Sequence, residues 1–308
     1  MAVELTPDQR ADRLASRQHA VLTHEQALRC GLTVDQVRAR VTSGLWVRVI
    51  RGVYRIAGAP SSWQQGALLA CLSRPGAALA SSLTAGALYR WCDAPSQPHI
   101  VVPPTATSRS KLAVVHRALI DQIDRTLVGV IPATMPARTL VDVAQLGNRR
   151  LLTDVADNAL CSKLVTACSV EEALARAEAG PGRAGHRALM DLLDDWDPVI
   201  RPGSPAEMRA LRLLKQWGFG TPVKQYVIRD ANGVFVAKVD LGWDDGKVAG
   251  EYDSGRWHGQ TRWRRDEPRY AAIDAAGWTP VAIDKTDLLP GERRLRDDLE
   301  RAFARTRA

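Results

Sequence analysis

Apolar residues recur at helical spacing through roughly the first forty positions, and polar residues that can cap a helix fence the later runs. Ala11, Leu14 and Ala15 lie opposite Arg10, Arg13 and Arg17, which predicts a helix over 8–20. Thr23 and Gln26 form the spacing of a capping box, in which each side chain can bond the other's backbone N–H. The helix they start is short and ends at Gly31, a residue free to take the left-handed conformation. Thr33 and Gln36 repeat the box, and the second helix ends near Ser43-Gly44. Next come two β-rich runs, 45–50 and 53–56, with Arg51-Gly52 between them as a turn. Two short helices joined at a glycine and followed by a hairpin spell a winged helix-turn-helix over residues 1–60.

That order carries a functional expectation. The second helix of such a fold enters the major groove of double-stranded DNA. Thr33, Asp35, Gln36, Arg38, Arg40 and Thr42 are then expected to face bases and phosphates. Arg48, Arg51 and Arg55 on the hairpin are placed to reach flanking phosphates or the minor groove. A homodimer reading paired half-sites is left open.

Beyond residue 60 the pattern changes twice. Residues 61–203 read as a mixed α/β region with a helical connector: helices over 61–72 and 77–88, strands over 99–102, 112–117 and 127–131, then helices to Trp196. Arg138 and Asp142 stand four apart, as in a helix-face pair. His99 and His116 read as strand residues rather than ligands. Prolines at 198, 202 and 205 mark a boundary. Residues 204–308 then run helix, three strands, helix, strand, helix, so the chain is of α+β class.

The hairpin of this last segment concentrates acidic chemistry. With Asp245-Gly246 as a two-residue turn, Asp240 lies directly across from Glu251. Alternation puts Lys238, Asp240, Glu251 and Asp253 on one face, with Val239, Leu241, Val248 and Tyr252 on the other. Carboxylates on directly opposed residues have Cβ atoms about 5 Å apart, close enough to share one cation. Two carboxylates completed by water suit Mg²⁺.

Charge and cysteine content narrow the classes of function. The net charge is +8, and residues 1–60 hold nine Arg and no Lys against five acids, which suits an anionic partner. Residues 151–203 reverse sign, with nine acids against five bases. Five scattered cysteines without a C-x-x-C pair argue against a disulfide framework and against structural zinc. No run approaches the roughly eighteen consecutive apolar residues of a membrane span. The charged stretch Met1–Arg17 lacks the core of a secretory signal, so a cytoplasmic location without membrane contact is expected.

The stretch LTHEQALRCGLTVDQVRARVTSGLWVRVIRGVYRI resembles the N-terminal domain of AbiEi antitoxins from type IV toxin–antitoxin systems. That resemblance implies a winged helix binding the operon's own promoter and a cognate nucleotidyltransferase-type toxin. The succession of elements in 61–203 also resembles AbiEi-type proteins. The last third, with KVDLGWDDGKVAGEYDSGRWHG, resembles the PD-(D/E)XK nucleases, nearest to the Vsr-like endonuclease domain. Carried over, Asp240 and Glu251 take the metal-ligand positions and Glu207 the accessory acid. Asp253 and His258 fall in the segment after the third strand, and Asp266 and Arg269 match the acid and base of the following helix. The superfamily pattern asks for a Lys where this chain has Asp253. Vsr-like members also lack it, and Lys238 is the candidate substitute. Two functions stand at this point: a DNA-binding protein carrying a Mg²⁺-dependent endonuclease, or an antitoxin-type repressor whose last domain binds only DNA or a toxin.

Overall fold

In a computed structural model, residues 5–74, 76–107, 109–177, 183–194, 205–252, 263–288 and 291–305 are described. The chain divides into two compact units, Met1–Asp194 and Asp195–Ala308. Both mix helices with sheets.

The first unit begins with three capped helices. α1 (Pro7–Arg17) starts behind Thr6 with proline at its first turn, where a missing N–H costs nothing. α2 (His24–Arg29) and α3 (Val34–Thr42) start behind Thr23 and Thr33, and both capping boxes form as the spacing predicts. Each box satisfies two backbone donors that the helix leaves unbonded, worth about 1 kcal/mol per cap. Gly31, at φ +95°, makes the turn between the helices. β2 (Trp46–Ile50) and β3 (Val53–Ile56) form the expected hairpin, and β1 (Val21–Thr23) adds an outer strand in the order β1-β3-β2. Three residues ahead of a helix cap leave no strand period to read, so β1 was invisible to patterning. Ala11, Ala15, Leu22, Ala27, Leu32, Val37, Trp46 and Tyr54 fill the core between helices and sheet.

The same unit continues through α4 (Trp63–Leu72), β4 (Leu79–Ala80), α5 (Ser82–Leu88), β5 (His99–Val102), β6 (Val114–Arg117), β7 (Arg125–Val128) and β8 (Ile131–Thr134). α6 (Pro136–Ala144), α7 (Arg149–Cys161), α8 (Ala167–Ala177) and α9 (Arg183–Asp194) follow. The five strands order as β6-β5-β4-β8-β7. One core joins this sheet to the first sixty residues: Val21 and Val53 pack with Leu68, Leu69, Ile100 and Ile131. At the same seam the Gln65 amide donates to the His19 carbonyl at 2.7 Å.

Two expectations for this region need correction. The run 77–88 is not one helix, because Leu79–Ala80 forms the central strand β4; small buried residues serve either state. The strand expected at 127–131 is a hairpin that reverses at Gly129, φ +62°. The turn hides between apolar residues.

The second unit holds α10 (Pro205–Gln216), β9 (Val223–Arg229), β10 (Phe235–Trp243), β11 (Val248–Tyr252), α11 (Trp263–Ala275), β12 (Thr279–Ile283) and α12 (Arg294–Arg305). The sheet order is β12-β11-β10-β9, with β11 and β12 parallel and the other pairs antiparallel. Two clusters cover it. Leu241, Trp243 and Val248 pack with Ala210, Leu214, Leu295 and Leu299. Ala237, Val239 and Ala249 pack with Ile273 and Trp278.

Val239 and Leu241 therefore belong to different clusters, although alternation placed them on one face. The switch coincides with a gap in the ladder. Gln225 has φ +50°, and the β9–β10 pairing passes over it and Asp240 while resuming on both sides. The register is the same on both sides of this gap. Side chains before and after Asp240 serve different clusters.

Candidate nucleic-acid interface and acidic strand-end cluster

On α3 the polar residues divide into free and occupied. Arg38 is three-quarters exposed, and its one ion pair is to Asp35, 3.2 Å away on its own helix. Thr42 is exposed. Thr33 and Gln36 are exposed but engaged with each other: Thr33 N–H donates to Gln36 Oε1 at 2.9 Å, and Gln36 N–H to Thr33 Oγ1 at 3.2 Å. The Gln36 amide NH₂ remains to donate outward.

Arg40 differs from the expectation. Its side chain is 17% exposed, its Nε donates to Asp8 Oδ1 at 2.8 Å, and its Nη1 donates to the Gln36 carbonyl at 2.6 Å. The guanidinium also stands 6.0 Å from the Trp46 ring centroid. It ties α1 to α3 over the sheet, and its hydrogen-bonding edge is turned inward. Asp8 and Trp46 supply this, and neither is close to Arg40 in sequence.

On the hairpin, Arg48 and Arg51 are exposed and form no ion pair among the described residues. Arg48 pairs across the ladder with Tyr54, so it shares the face on which Trp46 and Tyr54 meet the helices. His24 N–H donates to the Gly52 carbonyl at 2.7 Å, which holds the turn carrying Arg51 against the start of α2. Arg55 is half-buried and reaches back to the Ala59 carbonyl at 3.4 Å. Of this segment's expected set, Arg48 and Arg51 form no ion pair among the described residues, and Arg38 pairs only within its own helix, with Asp35.

In the second unit, the observed β10–β11 register pairs Leu241 with Gly250 and Trp243 with Val248. Continued by one residue, it sets Asp240 opposite Glu251. The two carboxylates are held differently. Asp240 Oδ2 accepts from the Tyr252 backbone N–H at 3.0 Å, and Oδ1 accepts from the Gln225 amide at 3.0 Å. Its side chain thus stitches β9 to β11 where the ladder is irregular. Glu251 sits 2.6 Å from the Arg269 guanidinium, which also donates to the Lys238 carbonyl at 2.6 Å. Glu207 pairs with Lys224 at 3.1 Å. Burial, with Glu207 and Asp240 nearby, pushes the Tyr252 phenol well above its ordinary range. Lys238 is exposed. Asp253, His258 and the side chain of Asp266 lie outside the described residues.

Comparison with known proteins follows this division. Residues 9–57, from α1 to the end of the hairpin, match the family described as "Transcriptional regulator, AbiEi antitoxin". Two Mycobacterium tuberculosis sequences, the uncharacterized proteins MT2308 (strain CDC 1551 / Oshkosh) and Rv2248 (strain ATCC 25618 / H37Rv), are each 31% identical over 277 residues. They span 88% of this chain and 98% of their own. The chain belongs to their family. A crystal structure of the RV2827C protein, also from M. tuberculosis, superposes with TM-score 0.44 at 17% identity, covering 67% of this chain and 80% of that one.

Within this family member, the AbiEi match encloses Arg38, Arg40, Arg48 and Arg51, while Asp8, the partner of Arg40, stands one residue before it. Patterning missed the positioning side chains: Asp8, Trp46, Gln225, and the role of Arg269 as the partner of Glu251. Their signals lie in contacts distant in sequence, which no local period encodes. Among the described residues no helix is long and apolar enough to cross a membrane.

Proposed function

We propose that this protein is a transcriptional regulator of antitoxin type whose residues 1–60 form a winged helix-turn-helix that grips double-stranded DNA. One observation carries the reading. Arg38 on α3 and Arg48 and Arg51 on the hairpin are exposed and, among the described residues, outside any ion pair that ties them to another element, in the segment matched by AbiEi regulators. α3 would enter the major groove with the Gln36 amide and Arg38 toward base edges, and the hairpin arginines would take flanking phosphates. The DNA would be the operon's own promoter, and the neighbouring gene a nucleotidyltransferase-type toxin.

The test is an electrophoretic shift of the full chain on its own upstream duplex. Arg38→Ala together with Arg48→Ala should lower affinity several-fold or more and weaken its salt dependence. Unchanged affinity in that pair defeats the reading.

A second reading treats the last unit as a Vsr-like PD-(D/E)XK endonuclease. The element order and the Asp240–Glu251 juxtaposition favour it. Mg²⁺ fits the side chains incompletely. Arg269 already neutralises Glu251, each Asp240 oxygen already accepts a hydrogen bond, from the Tyr252 N–H and the Gln225 amide, and no group of three His, Cys, Asp or Glu among the described residues is arranged to hold a metal. We therefore read the unit as a nuclease-like scaffold that binds DNA or a partner. Duplex cleavage with Mg²⁺ or Mn²⁺, lost in Asp240→Ala and in Glu251→Ala, would overturn that choice.

A further inference from the structure

We propose that the DNA-gripping surface continues beyond the winged helix onto a second basic patch formed by Arg74, Arg109 and Lys111, which would seat phosphates flanking the site that α3 reads. The proposal rests on the DNA-binding reading above.

The patch is built rather than loose. Arg74 follows α4, and its Nη2 donates to the Arg109 carbonyl at 2.7 Å, which fastens the turn after α4 to the β5–β6 connection. Within that connection, Arg109 N–H donates to Thr107 Oγ1 at 3.3 Å and Leu112 N–H to Ser110 Oγ at 3.1 Å. The backbone is held while the Arg109 and Lys111 side chains remain exposed, and neither forms an ion pair among the described residues.

Packing ties the patch to the hairpin. α4 starts at the Gln65–His19 bond and touches β1. Its last residue, Leu72, packs on the same apolar cluster that takes Val49 and Ile50 from the hairpin. Ala106 and Ala113, which bracket Arg109 and Lys111, join that cluster too. One core thus buttresses both Arg48–Arg51 and the second patch.

The surrounding field agrees in sign. Residues 61–150 contain four acids, and two of them, Asp124 and Asp142, are buried against Arg138. Asp93 and Asp121 remain to face solvent. Cations without local partners keep their hydration and counterions until a polyanion replaces them, and that exchange makes phosphate contacts salt-dependent.

The experiment is a salt titration of full-length protein on its upstream duplex by fluorescence anisotropy. Each phosphate contact adds about 0.9 to the slope of log affinity against log salt. Arg109→Ala with Lys111→Ala should therefore lower the slope by about two and weaken binding at fixed salt. A charge-matched control, Arg149→Ala with Arg150→Ala on α7, should leave the slope unchanged. If the Arg109/Lys111 pair keeps the wild-type slope, or the control falls by the same amount, the patch is not part of the interface and the proposal is overturned. If wild-type protein shows no salt-dependent binding, the regulator reading fails and takes this proposal with it. Circular dichroism of each variant separates lost contacts from lost folding.

Discussion

Truncating Arg40 should damage the fold of the N-terminal unit before it damages the proposed DNA binding. The side chain makes charge-assisted bonds to Asp8, a bond to the Gln36 carbonyl and a cation–π contact with Trp46. A hydrogen bond to a charged partner contributes about 1.5–3 kcal/mol when sheltered, and the half-exposed Asp8 brings that toward about 1. The ring contact adds about 0.5–1 kcal/mol. Arg40→Ala should then cost about 2 kcal/mol. In a unit of 194 residues that lowers the melting temperature by about 4–8 °C. Asp8→Ala should cost roughly half as much, and the double variant should cost less than the sum because both lose the same bond. Arg40→Lys keeps the charge without the planar fork and should fall between. The assay is thermal melting by circular dichroism, run beside duplex affinity below the melting range. The argument fails if Arg40→Ala melts like wild type yet loses affinity as Arg38→Ala does.

Other substitutions probe separate elements. At Gly185 an added Cβ would stand 2.2 Å from the Ala144 carbonyl oxygen, so Gly185→Ala should push α9 off α6 at a cost of about 1–3 kcal/mol, measured by urea unfolding; unchanged stability would refute that packing. Thr33→Ala should cost about 1 kcal/mol by removing the α3 cap, with Thr33→Ser restoring most of it in the same assay. The pH profile should contain two opposed contributions. Burial, with His116 beside it, holds His99 down at about 4, so its stabilisation is full above pH 6.5 and is lost as pH falls toward 4. Burial outweighs Arg138 and raises Asp142 to about 6, so its contribution is full below about pH 3.8 and is lost as pH rises through 6. His99→Gln should flatten the acid-side loss in melting temperature, and Asp142→Asn the opposing trend. Profiles matching wild type would contradict both assignments.

The elements with strong local grammar were legible from residues alone. Capping boxes at Thr23 and Thr33, the Gly31 turn and the hairpin all form where spacing places them. Strand pairing around Asp245-Gly246 was legible too, because a tight turn dictates register. What failed was what depends on distant partners. Arg40 reads as a solvent-facing arginine until Asp8 and Trp46 arrive from other elements. Val239 reads as sharing a face with Leu241, yet the two pack in different clusters on either side of the gap where the β9–β10 ladder passes over Asp240 and Gln225. Arg138 and Asp142 look like a surface pair, yet Arg138 is nearly inaccessible and also meets Asp124, which binds Arg176 from α8 at 2.8 Å. The helical period gives the spacing of such a pair and says nothing about which side of the helix is covered.

The seam where Val21, Val53 and Gln65 join the first sixty residues to the five-stranded sheet limits how this protein can change. A reading head hung on a supple tether can be exchanged for another by recombination, since nothing behind it must match. Here the first sixty residues share their floor with the five-stranded sheet. A graft taken from a relative would expose bare aliphatic surface unless it brought compatible residues along the join. Under the proposed DNA reading, new operator preferences should therefore arise by point substitution on the outward side of α3, while the underside stays matched to its neighbour.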